Sequence, residues 1–189
     1  MGRLVLVLGG ARSGKSAFAE RLARVEAGDA VLYIATATIT DDEMAARIAR
    51  HRAARPARWE TLELPTGAGD ALRQRGNLPP VLLLDCLTLL LSTPAFTDPN
   101  LSADAVEAHA TAEVDGLLHL SKAYSGTLIV VSNEVGMGLH PNSALGRIYR
   151  DALGRANQRL AAYAEVAYLM VAGIPLDLLR LRAVVPEAT

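Results

Sequence analysis

The eight residues Gly9-Gly10-Ala11-Arg12-Ser13-Gly14-Lys15-Ser16 lie between the apolar run Leu4 to Leu8 and a segment of helical periodicity, and no other feature constrains the fold as much. They fit G-x-x-x-x-G-K-[ST], a pattern that needs a strand leading in and a helix leading out. Glycines let the backbone curl until successive N–H groups converge on phosphate oxygens, and the positive end of the helix dipole adds to that field. Lys15 is then placed to reach the β- and γ-phosphates of a nucleotide, and Ser16 to offer its hydroxyl to Mg²⁺. Only two lysines occur, Lys15 and Lys122, so the lysine of the pattern is not a by-product of composition. A glycine-rich turn with an incidental lysine is the plain alternative, and the flanking strand and helix argue against it.

A parallel sheet covered by helices has strands buried on both faces, which read as short continuous apolar runs. Such runs occur at Leu4 to Leu8, Val31 to Ala35, Val81 to Cys86, Thr127 to Ser132 and Val166 to Val171. Trp59 to Leu64 alternates apolar and polar residues and reads as an edge or antiparallel strand. Between the runs, Phe18, Leu22 and Val25 fall at i, i+4 and i+7. Helices are also expected from Ser102, as N-cap, to Tyr124 and from Ser143 to Glu165. Pro65 to Gly69, Ser92 to Leu101 and Asn133 to Asn142 read as loops. The expected fold is therefore α/β: a mostly parallel sheet with helices on both faces, of the P-loop NTPase, RecA-like kind, in one domain spanning 1–189.

Val81-Leu82-Leu83-Leu84-Asp85 ends an apolar strand in a carboxylate. That strand is expected to lie beside the one feeding the loop, where Asp85 orients Mg²⁺ or its water shell; taken alone, such an aspartate is more often only a helix cap or turn former. The guanine-reading Asn-Lys-x-Asp pattern of switch GTPases does not occur. A formal net charge of -1 gives no reason to expect nucleic acid or a membrane surface as a partner. No apolar run approaches the roughly 18 residues of a membrane span, and the first strand, running into glycines, does not read as a signal peptide. One cysteine, Cys86, allows neither an internal disulfide nor a cysteine metal cage, which fits a reducing cytoplasm.

Thr40-Asp41-Asp42-Glu43 reads as a capping box opening a helix, with Thr40 as its cap. Along that helix Met44, Ile48 and His51 share a face, and Arg50, Arg52, Arg55 and Arg58 follow closely before and after Pro56. An uncharged imidazole is a competent nucleophile toward phosphorus, and arginines can hold phosphate oxygens. The spacing alone favours a core histidine on an amphipathic helix whose arginines are merely solvated. His140, in the loop after a strand, is a rival; His109 and His119 read as structural.

These residues, together with Tyr33-Ile34-Ala35-Thr36, Asp41-Asp42-Glu43-Met44, Arg55-Pro56, Trp59 and Val131-Ser132-Asn133-Glu134-Val135-Gly136, resemble the bifunctional adenosylcobinamide kinase and adenosylcobinamide-phosphate guanylyltransferase family. The resemblance covers nearly the whole chain. It implies phosphorylation of adenosylcobinamide with ATP or GTP, then transfer of GMP from GTP to give adenosylcobinamide-GDP and pyrophosphate. It implies His51 as the carrier of GMP, Lys15 beside it in catalysis, and Mg²⁺ at Ser16 and Asp85. Nucleotide contacts carry over to Gly9 through Ser16, Thr36, Ala37, Thr38, Ala53, Ala54, Arg55, Pro56, Glu63 and Asp85. Ala37 and Thr38 stand where more polar residues are expected, and relatives can carry Glu at Asp85. A cytoplasmic homotrimer is also implied. A plain phosphate-loop kinase of a small alcohol needs no nucleophilic histidine, and an ATP-driven binding module needs no acceptor pocket; both remain alternatives on the residues alone.

Overall fold

A computed structural model describes residues 2–38, 41–98 and 101–183. Seven strands form one sheet: β1 (Arg3–Gly9), β2 (Val31–Ala35), β3 (Glu60–Glu63), β4 (Val81–Asp85), β5 (Thr127–Asn133), β6 (Val166–Val171) and β7 (Ile174–Asp177). Their order across the sheet is β3-β2-β4-β5-β1-β6-β7. All pairings are parallel except β6 with β7. The helices are α1 (Lys15–Ala27), α2 (Asp42–Ala54), α3 (Ala68–Gln74), α4 (Leu87–Thr97), α5 (Ala103–Ala123), α6 (Ala144–Tyr163) and α7 (Leu178–Leu181).

Side chains alternate across the strands and build two cores. Leu4, Leu6, Leu32, Ile34, Leu82, Leu84, Leu128 and Val130 pack with residues of α3, α4, α5 and α6. Val5, Val7, Val31, Tyr33, Val81, Leu83, Ile129 and Val131 pack with Ala19 and Ala23 of α1 and with Trp59. Helices on both faces explain why the strands are apolar throughout.

Several sequence expectations change. β4 does not lie beside β1: β5 pairs with both and separates them. Period-2 patterning carries no information about which runs become neighbours. β3 is an edge strand as expected, and it runs parallel to β2. Val25 is 85% exposed, because Ala19 and Ala23 rather than Val25 complete the buried stripe of α1. Two expected loops are partly helical: α3 starts at Ala68 behind the left-handed Gly67, and α4 extends to Thr97. Asn133 to Asn142 is irregular after the end of β5, as expected. Ser102 and Ser143 cap α5 and α6 through Ala105 N and Gly146 N. Thr40 lies outside the described residues, and the cap of α2 is Asp41, whose carboxylate accepts from Met44 N at 2.7 Å.

Candidate active site

Strand register decides what meets at the carboxyl edge of the sheet. Ala35 pairs with Glu63 on one side and Asp85 on the other, and Asp85 pairs with Val131, itself level with Val7. Glu63 and Asp85 thus stand in one row two strands apart, about 10 Å between backbones. Ligands of open α/β sheets bind along this edge.

Gly14, at φ +91°, turns the chain from the phosphate loop into α1, a conformation that glycine adopts without a Cβ penalty. The loop is propped from behind by the β6–β7 hairpin, where Gly173 N donates to Ser13 O at 3.0 Å. Lys15 Nζ donates to Gly10 O at 3.0 Å and so folds back along the loop. Two cavities open here. One, of about 540 Å³, follows the phosphate loop from Ala11 to Ala17 and is closed opposite by Glu43, Arg50 and His51. The other, of about 340 Å³, is lined by Ser16, Tyr33, Ala35, Ala37, Thr38, Met44, Ile48, His51, Arg55, Glu63, Pro65, Asp85, Cys86 and Leu89. Ser16 and His51 belong to both.

The face of α2 read from sequence is therefore the face turned to the cavity, with Met44, Ile48 and His51 together. Of the arginines, Arg50 borders the phosphate-loop cavity and Arg55 the other, while Arg52 is exposed and Arg58 pairs with Asp29 on the surface. His140 lines neither cavity: it is exposed, with Nδ1 3.1 Å from an Arg150 nitrogen. His109 is tied to Leu90 O at 3.1 Å, and His119 is exposed. Thr36 is buried and lines neither of these two cavities; its hydroxyl donates to Cys86 O and accepts from Cys86 N, locking the ends of β2 and β4 together. Ala53 is exposed, and Pro56 accepts from Trp59 N in the turn after α2. The side chain of Ala54 lies outside the described residues.

The chain matches, over residues 5–178, the family described as cobinamide kinase / cobinamide phosphate guanyltransferase. The chain belongs to this family. The bifunctional adenosylcobalamin biosynthesis protein CobU of Escherichia coli is 42% identical over 90% of this chain and 97% of its own length. The corresponding CobP of Pseudomonas aeruginosa is 45% identical over 92% and 95%, and CobU of Salmonella typhimurium 41% over 90% and 97%. Among solved structures, the flagellar accessory protein FlaH of Methanocaldococcus jannaschii has a TM-score of 0.46 at 14% identity, covering 92% of this chain and 74% of that one.

In this cobinamide kinase / guanyltransferase family member, sequence reading missed a cluster that surrounds Asp85. Tyr33 donates its hydroxyl to Asp85 Oδ2 at 2.9 Å. The Arg55 guanidinium lies 3.5 Å over the Tyr33 ring and donates to Thr61 Oγ1 at 3.3 Å. Arg55 is the C-cap of α2, so the histidine helix is fastened to β2 and β3 through this one side chain. Burial, and then the Asp85 carboxylate, push the Tyr33 phenol well above its ordinary range, which keeps it a donor. Glu20, on α1, also has its pKa raised, by burial first and Asp85 second, with Arg55 opposing. Cys86 is pushed up to about 11, chiefly by burial, so its thiol stays protonated. Tyr33 had one available signal: it sits two residues before Ala35, on the same face of β2, at the edge where ligands bind.

Proposed function

We propose that this chain catalyses both family reactions: phosphorylation of adenosylcobinamide with ATP or GTP, and transfer of GMP from GTP through His51 to the phosphate so formed. The observation that carries the reading is the position of His51 where the two cavities meet. The triphosphate lies along Gly9 to Ser16 with its outer phosphates at Lys15, and the guanine lies in the smaller cavity against Glu63. The α-phosphorus then falls at the junction, within reach of the imidazole. Glu63 suits guanine because a carboxylate accepts from both N1–H and the 2-amino group, which adenine lacks. Thr38, Ala37, Arg55 and Asp85 complete that cavity, and Thr36, Ala53, Ala54 and Pro56 are read as further nucleotide contacts of the family.

An imidazole nitrogen attacks the α-phosphorus, the bond to the bridging oxygen breaks, and pyrophosphate leaves along the phosphate loop. A phosphate oxygen of cobinamide phosphate then attacks the same phosphorus and the P–N bond breaks, restoring the histidine. Ser16 and Asp85 line one cavity and offer hard oxygen donors, a set that suits Mg²⁺ completed by phosphate oxygens and water. Mg²⁺ held there neutralises phosphate charge. Among the described residues no group of three or more His, Cys, Asp or Glu could hold a metal ion.

We further read the chain as one domain, working in the cytoplasm as a homotrimer without nucleic acid. No described helix is long and apolar enough to cross a membrane. Exposed Met137, Leu139, Ile174 and Leu181 support assembly with other copies. The test is product analysis of parent and Lys15→Ala with adenosylcobinamide, ATP and GTP. The parent is expected to give adenosylcobinamide-GDP and pyrophosphate, and the variant to lose both reactions by two orders of magnitude or more, roughly. Phosphorylated cobinamide alone would make the chain a plain kinase, and unchanged turnover of the variant would remove the loop from the mechanism.

A further inference from the structure

Glu113 is an ionisable side chain only 5% exposed, carried by α5, no residue of which lines either cavity described above. Its Oε1 accepts from Gly67 N at 2.5 Å. Gly67 is the N-cap of α3 at φ +64° and has no side chain to satisfy that end of the helix. In a capping box the acid three residues into the helix reaches back to the N-cap amide. Asp70 occupies that position in α3, and its carboxylate accepts from Arg73 instead, at 3.0 Å. Glu113 supplies the missing acceptor from another helix. A buried carboxylate is costly to keep, so a geometric duty for it is expected.

The same face of α5 fixes the height of α3. A Cβ on Gly69 would lie 2.1 Å from the Gly116 carbonyl carbon, so the two backbones touch, and Gly116 stands one turn from Glu113. At the other end of the connecting turn, Leu64 N donates to Ala35 O at 2.8 Å. The turn from Leu64 to Gly67 is thus held at its start by β2 and at its end by Glu113. Glu63 and Pro65, which enter and begin that turn, line the smaller cavity.

We propose that Glu113 is a positioning residue of the nucleotide site: it pins the Leu64 to Gly67 turn so that Glu63 and Pro65 close the base end of the cavity. This rests on the reading that guanine occupies that end. The residue touches no substrate, and its effect is on nucleotide affinity.

Glu113→Ala, Glu113→Gln and Glu63→Ala are assayed for GMP transfer across a GTP series, with thermal unfolding run alongside. Glu113→Ala is expected to raise KM for GTP about tenfold with kcat within about threefold of the parent. Glu113→Gln keeps an oxygen that accepts from Gly67 N, and should return KM to within about twofold. A purely structural role would lower the unfolding temperature without moving KM. A folded Glu113→Ala protein with the parent's KM overturns the proposal, as does Glu113→Gln as impaired as Glu113→Ala. If Glu63→Ala raises KM while Glu113→Ala does not, Glu113 alone is wrongly assigned; if Glu63→Ala leaves KM unchanged, the base assignment fails and this proposal with it. Should Glu113→Ala not fold, Glu113→Asp, one methylene too short to reach Gly67, decides by the same comparison: raised KM supports the proposal, unchanged KM overturns it.

Discussion

Asp85 accepts from the Tyr33 hydroxyl through one carboxylate oxygen. Around it the electrostatics are crowded, since Glu20 feels both burial and the Asp85 charge. The sign of the consequence follows from linkage. A carboxylate whose folded pKa is raised binds its proton more tightly in the folded state, so its stabilising contribution is present below the ordinary value of 4.5 and is lost as pH rises through the raised value. At neutral pH ionised Glu20 therefore weighs against folding. In buffer free of divalent cations, Glu20→Gln should unfold at a higher temperature than the parent at pH 7.5, and the difference should vanish toward pH 4. An equal difference at both pH values would refute the assignment. Lys15, Ser16 and His51 were legible in the sequence because a local motif or a helical face carries them. Tyr33, Glu20 and Glu113 were not, because each acquires its role from a neighbour on another element.

α2 is the element that matters most and is packed least. None of its described side chains is buried, whereas α5 contributes nine buried residues to its packing. What holds α2 is its Asp41 cap, the Met44 and Ile48 face, and Arg55 on Tyr33. Elements with few buried contacts open most readily. Amide exchange should accordingly be fast in Asp42–Ala54 and slow in Ala103–Ala123, and GTP should slow the former. Equal protection of both helices without nucleotide would contradict this. Strands of buried parallel sheets announce themselves as apolar runs, and the Ser102 cap was equally plain. α3 was hidden because its N-cap is a glycine served by a distant acid, and β7 because Ile174–Asp177 is a short hairpin strand following a turn at Ala172 and Gly173.

Across the whole molecule, the sheet works as a ruler. Its register sets Glu63, Ala35, Asp85 and Val131 in one row, and the separation of β4 from β1 by β5 sets the strand that enters the phosphate loop one place further from Glu63. That separation could not be read from the chain, since strand order is a property of long-range pairing. On the proposed function, this platform presents the α-phosphorus of GTP to His51. Incubation with GTP labelled at the α-phosphate tests it most directly, with His51→Ala and His140→Ala in parallel. The parent and His140→Ala should retain acid-labile, base-stable label on the protein, and His51→Ala should take up none while staying folded and keeping kinase activity. A folded His51→Ala protein that still becomes labelled would contradict the account.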